Sequence, residues 1–100
     1  MNSRAGTVKT PLHRAARQNH TKIIKLLISK GARTDSQNRE GDTPLHWAAF
    51  AGATQATKIL LALGANSELT NKQGRTPSAE AKKRNFYELA ILLKRHSQNI

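Results

Sequence analysis

Thr-Pro occurs at 10–11, 43–44 and 76–77, and both intervals are 33 residues. Self-similarity at a fixed period of roughly 20 to 50 residues means one supersecondary unit stacked on copies of itself, so this spacing limits the possible folds more than any other property of the chain. The same offset relates Gly31-Ala32 to Gly64-Ala65 and Gly41 to Gly74, and it runs through Ala15, Ala48 and Ala81 and through Leu27, Leu60 and Leu93. One structural unit is therefore written three times, and a candidate site has to be weighed against what that unit needs for itself.

The unit reads as two helices and a long turn. Thr10, Thr43 and Thr76 each precede a proline. This fits a hydroxyl N-cap followed by Pro at the first helical position, where its missing N–H costs nothing. A short helix is expected over 11–18, 44–51 and 77–84, with small residues such as Ala15-Ala16 and Ala48-Ala49 on one side so that a neighbouring helix can approach closely. The second helix of each unit shows apolar residues at helical spacing: Ile23, Ile24, Leu26, Leu27 and Ile28, then Ile59, Leu60 and Leu61, then Leu89, Ala90, Leu92 and Leu93. Gly31 and Gly64 end the first two where a left-handed residue is wanted. Between units run about ten polar residues, RTDSQNREGD at 33–42, suited to a turn with Gly41 or Gly74 near its tip.

A helix-turn-helix with an extended turn, headed by Thr-Pro-Leu-His-x-Ala and recurring every 33 residues, resembles the ankyrin repeat. TPLHRAA at 10–16, TPLHWAA at 43–49, KIIKLLISKGA at 22–32 and TKILLALGA at 57–65 carry the resemblance, which covers nearly the whole chain. It implies an all-α solenoid of three stacked helix-turn-helix units with extended β-turn finger loops, in a single domain whose repeats are 1–37, 38–70 and 71–100. Val8 stands where the other units have Gly41 and Gly74, so the first turn is expected to be incomplete. In the third unit Ser78-Ala79 replaces Leu-His, Lys82 stands where Ala16 and Ala49 are, and Lys94 replaces the apolar Ile28 and Leu61. A terminal repeat lacks a neighbour on one side and needs a polar outer face. The first and third units are accordingly read as caps, with three repeats sufficient for a complete protein.

The candidates for chemistry are few. Without cysteine there is no disulfide framework, thiolate nucleophile or Cys-based zinc site. His13 and His46 attract attention, but the resemblance makes this histidine structural, holding the turn before the first helix by hydrogen bonds. A metal site would need a third converging ligand, and neither His20 nor His96 has the spacing of a recognised motif. The chain has no Gly-rich phosphate loop, no Gly-x-Ser-x-Gly and no paired carboxylate constellation. A domain of 100 residues buries only about 65% of its unfolded surface, which argues against a large enclosed cavity. No enzyme activity, metal or cofactor is expected. Asp35 and Glu68 occupy equivalent turn positions where the family often carries Asn, so the asparagine hydroxylated in some ankyrin proteins is absent there, and turn hydrogen bonding is their expected role. Lys82-Lys83-Arg84 fits a solvated helix face better than a nuclear-import signal.

What remains is the surface. Lys and Arg outnumber Asp and Glu by 17 to 6, for a net charge of +11. That charge sits at the ends: residues 1–37 are +7, 38–70 are −1 and 71–100 are +5. Stacking sets equivalent residues side by side on the concave face. The position after the motif histidine gives Arg14, Trp47 and Glu80; three residues on come Arg17, Phe50 and Lys83; the next row is Gln18, Ala51 and Arg84. By resemblance, the last two rows and the finger tips, here Arg39, Glu40 and Asp42 and then Lys72, Gln73 and Arg75, are where partners are met. The residues expected to contact a partner are Arg14, Arg17, Gln18, Arg39, Glu40, Asp42, Trp47, Phe50, Ala51, Lys72, Arg75, Lys83 and Arg84. Aromatic anchors ringed by arginine have the composition of an interface hot spot. For Trp47 the alternative is packing against neighbouring helices, since Trp is frequent at that position in ankyrin repeats.

The expectation is a protein-interaction module that binds an acidic segment of a partner protein and acts as adaptor or competitive regulator. Binding to nucleic acid or an anionic membrane surface is the alternative that the net charge supports, although only one aromatic pair is available for stacking bases. No apolar run approaches the roughly 20 residues of a membrane span or the length of a signal peptide. A monomer in the cytoplasm or nucleus is expected. A free-standing regulator and a piece of a longer protein both remain open.

Overall fold

The computed structural model describes residues 10–98, with side chains through His96. The expectation at Val8 lies outside that range. Within it the chain forms α1 (Pro11–Arg17), α2 (Thr21–Ser29), α3 (Pro44–Ala51), α4 (Thr54–Ala62), α5 (Pro77–Lys83) and α6 (Tyr87–Gln98), and no strand among the described residues. Each Thr-Pro pair starts a helix as its chemistry requires. The Thr10, Thr43 and Thr76 hydroxyls accept from the backbone N–H groups of His13, His46 and Ala79 at 3.1, 3.2 and 3.2 Å.

Helices of seven to nine residues do not persist alone in water, so packing has to hold them. α1, α3 and α5 lie side by side as an inner layer, backed by α2, α4 and α6. Alanine makes the inner layer close: Ala16, Ala48, Ala49 and Ala81 are fully buried, while Leu12, Ile24, Leu45, Leu60 and Leu93 fill the space between layers.

The turn inside each unit needs a left-handed residue, and the repeat supplies Asn19 (φ 62°), Gly52 (φ 70°) and Asn85 (φ 70°) at the same register. Asn19 Oδ1 also accepts from the Ala56 N–H at 2.8 Å, tying the first unit to the first turn of α4. Gly52 has no side chain, and the Phe86 ring of the third unit closes over it. A Cβ there would meet Phe86 Cζ at 2.9 Å.

The fingers repeat equally closely. The Asn38 N–H donates to the Asp42 carbonyl at 3.0 Å and the Asn71 N–H to the Arg75 carbonyl at 2.9 Å, while the Lys72 N–H donates to the Glu40 carbonyl at 2.9 Å and joins the two tips. Inside each turn the asparagine side chain does the folding. Asn38 Oδ1 accepts from the Glu40 and Asp42 N–H groups, and Asn71 Oδ1 from those of Gln73 and Arg75. Asp35 does turn bonding of a longer kind, its Oδ1 accepting from the Asn66 N–H of the next unit at 3.0 Å.

At the ends, Lys82 and Lys94 stand exposed on the third unit. The first unit departs from the polar outer face expected of it. Ile23 is 45% exposed, whereas its register equivalents Ala56 and Leu89 are buried, and Pro11 is exposed where Pro44 and Pro77 are covered. The units that cover the second and third proline positions have no counterpart before Thr10 among the described residues.

Candidate functional site

His13 and His46 span the junctions between units. The backbone N–H of Thr43 donates to His46 Nδ1 at 3.0 Å, so Nδ1 is an acceptor and the proton sits on Nε2, which donates to the Arg75 carbonyl at 2.8 Å. His13 Nε2 likewise donates to the Asp42 carbonyl at 2.7 Å, with Nδ1 held at 2.8 Å by the Thr10 hydroxyl. Each ring thus fixes its own helix start with one nitrogen and the next finger with the other. Burial lowers both imidazoles below their usual value, and the carbonyl bonds and the Asp42 carboxylate offset only part of this. Both nitrogens of both rings are engaged, which leaves no lone pair for a metal or a reacting proton.

Between the inner helices and the fingers runs an open groove of about 390 Å³. Its helix wall carries Arg17, Trp47, Phe50 and Lys83; its finger wall carries Glu40, Asp42, Gln73 and Arg75. Glu80, on the expected surface row with Arg14 and Trp47, is instead 7% exposed at the base. There Asn71 Nδ2 donates to Glu80 Oε2 at 2.7 Å and to Asp42 Oδ1 at 2.9 Å, and Arg75 Nε reaches Glu80 Oε2 at 3.1 Å. One amide and one guanidinium hold two carboxylates, so Asp42 and Glu80 are satisfied from within, while Glu40 stands exposed on the finger wall.

The helix wall is different. The Arg17 guanidinium lies 5.6 Å from the Trp47 ring centroid and that of Arg84 lies 4.1 Å from the Phe50 centroid. Trp47 also meets His13 edge to face, with centroids 5.5 Å apart. It is half-buried, whereas Phe50 is 44% exposed.

The groove therefore gathers Arg17, Glu40, Asp42, Trp47, Phe50, Arg75 and Lys83 from the expected contact residues, with Arg84 joined through Phe50. Arg14, Gln18, Arg39, Ala51 and Lys72 are exposed outside its lining. Asp42 and Arg75, expected at the tips as contacts, are half-buried and bonded to Asn71 and to Glu80 of α5 respectively. Asn71, whose amide bonds both Asp42 and Glu80, was not singled out by the sequence pattern. The recurrence of Asn at 38 and 71, 33 residues apart, is the signal that points to it.

Comparison with known proteins agrees with the geometry. The family model for ankyrin repeats in three copies matches residues 2–71, leaving most of the third unit beyond the match. A transient receptor potential cation channel subfamily A member 1 homolog of Caenorhabditis elegans is 51% identical over 42 residues, which are 42% of this chain and 4% of that protein. The chain spans only a small part of that relative's length. No helix among the described residues is long and apolar enough to cross a membrane.

Proposed function

The chain belongs to the ankyrin-repeat family, and from that premise we propose that it binds an acidic segment of a partner protein in its concave groove and at the adjoining finger tips. Ankyrin repeats are generally protein–protein interaction modules; the partner's chemistry is read from this groove. One observation carries the reading: two arginines rest on an aromatic pair while the neighbouring carboxylates, Asp42 and Glu80, are already bonded to Asn71 and Arg75. Arg17, Lys83 and Arg84 on the helix side are the cations that face an incoming segment, with the exposed Glu40 on the opposite wall, and the apolar floor is Trp47 and Phe50. Aromatic and arginine side chains in a desolvated centre supply most of the energy in such interfaces.

A site of this kind acts by occupancy. Our reading is an adaptor, or a regulator that competes for a partner's acidic segment, working as a monomer in the cytoplasm or nucleus. Phe50→Ala and Arg17→Glu are each expected to weaken partner binding at least tenfold, on the order of 1.4 kcal/mol, without moving the unfolding midpoint. Unchanged binding in both variants rules out the concave face.

The net charge of +11 also fits nucleic acid or an anionic membrane. The covered rings tell against single-strand binding, because Trp47 and Phe50 each have one face already taken by a guanidinium. Nonspecific nucleic-acid affinity falls log-linearly with salt. Binding to an oligonucleotide that survives physiological salt would favour that alternative.

A further inference from the structure

We infer that the segment this groove accepts is bipartite, with two carboxylates three to six residues apart and one apolar residue between them, seated so that the acids reach Arg17 and Arg84 and the apolar side chain meets Phe50. The inference rests on the protein-binding reading above and adds the spacing and order of the partner's residues.

Three features lead to it. Among the described residues the two cations are held in place by rings rather than by carboxylates. A guanidinium attracted electrostatically to a ring keeps its N–H donors available, and one that is already positioned loses less freedom when it closes on a bidentate acceptor. By contrast Arg75, on the opposite wall, is already paired through Nε with the Glu80 carboxylate at 3.1 Å.

The cations also flank the apolar patch from opposite sides. Arg17 is on α1, Arg84 caps α5, and the two rings they cover sit on the intervening α3. Lys83 lines the groove beside Arg84 and adds a second positive charge at that end. An acidic cluster at one end of a segment satisfies only one of these poles.

Finally the span fixes the interval. Neighbouring packed helices have axes about 8–10 Å apart, so α1 and α5 are separated by roughly 20 Å. Both arginines lean inward over α3, which brings their charged ends closer together than the axes. An extended segment rises about 3.3 Å per residue, so roughly 10–20 Å corresponds to about three to six residues. Phe50, 44% exposed at the middle, is the surface left for the residue between.

The test is a calorimetric titration of the full wild-type chain with synthetic peptides at physiological salt. One peptide carries two Glu flanking a central Leu at an interval of four; a second has the same composition with both Glu on one side; a third replaces Leu by Ser; a fourth replaces Glu by Lys. The flanking arrangement is expected to bind about tenfold tighter than either the clustered or the Ser peptide, the size of one well-made charge-assisted contact. Arg17→Ala and Arg84→Ala are each expected to erase that advantage, so that flanking and clustered peptides become equal. Equal binding of flanking and clustered peptides to the wild type overturns the spacing while acidic-segment binding stands. No preference for any Glu peptide over the Lys peptide overturns both. Displacement of the flanking peptide by anionic vesicles or a single-stranded oligonucleotide at similar charge concentration overturns the peptide as occupant.

Discussion

His46 looks like a catalyst in isolation and is a strut in context. Its Nε2 bond to the Arg75 carbonyl and its Nδ1 bond from the Thr43 N–H join two units, and removing the ring leaves the buried Thr43 N–H unpaired and the Arg75 carbonyl with only its bond from the Asn71 N–H. His46→Ala is expected to cost about 1–3 kcal/mol, read as a lowered urea midpoint. The same residues predict a pH dependence. Burial holds both folded imidazoles below 6.5, so the unfolded chain binds more protons as acidity rises. Stability is complete above about 6.5 and declines as pH falls below that value toward the folded ones. Urea midpoints measured from pH 7.5 to 5 should fall with acidity, and His13→Gln with His46→Gln should flatten that dependence. A midpoint that rises on acidification contradicts the burial account. The structural role of both histidines was legible because they recur with Thr-Pro. The exposure of Trp47 was not, since it depends on how far Arg17 reaches across from another unit.

At the scale of elements, helix starts were legible to the residue because Thr-Pro fixes a cap and a dihedral angle in two letters. The finger and junction chemistry was hidden, because it depends on side chains folding back on their own backbone and on contacts between units. Asn71 holds Asp42 and Glu80 apart with one amide. Asn71→Asp would bring a third carboxylate between them, and a loss of about 2 kcal/mol or more is expected from uncompensated buried charge, seen as a drop in thermal midpoint that is smaller at pH 4 than at pH 7. At the junction, Gly52→Ala combines φ 70° with a Cβ 2.9 Å from the Phe86 ring. A loss of more than about 1 kcal/mol is expected. Adding Phe86→Ala should cost less in that variant than in the wild type, since the clash is then relieved.

The whole molecule is a stack in which each unit is stabilised by its neighbour. Residues 1–64 alone are expected to give no cooperative unfolding transition by circular dichroism; a sigmoidal two-state melt contradicts nearest-neighbour stacking. The 33-residue period made this architecture legible. The apolar outer side of the first unit was less so, because Ile23 reads as core by periodicity whether or not another unit covers it. The central claim is that the concave groove, and no other face, receives an acidic segment. Trp47 is the single tryptophan, so its indole N–H gives one assignable signal in an NMR titration. Adding the peptide with two Glu four residues apart around a central Leu is predicted to shift that indole signal and the Arg17, Phe50 and Arg84 amides together, saturating at one peptide per chain. Shifts confined to α2, α4 or α6, with the indole unmoved at saturation, would contradict the account.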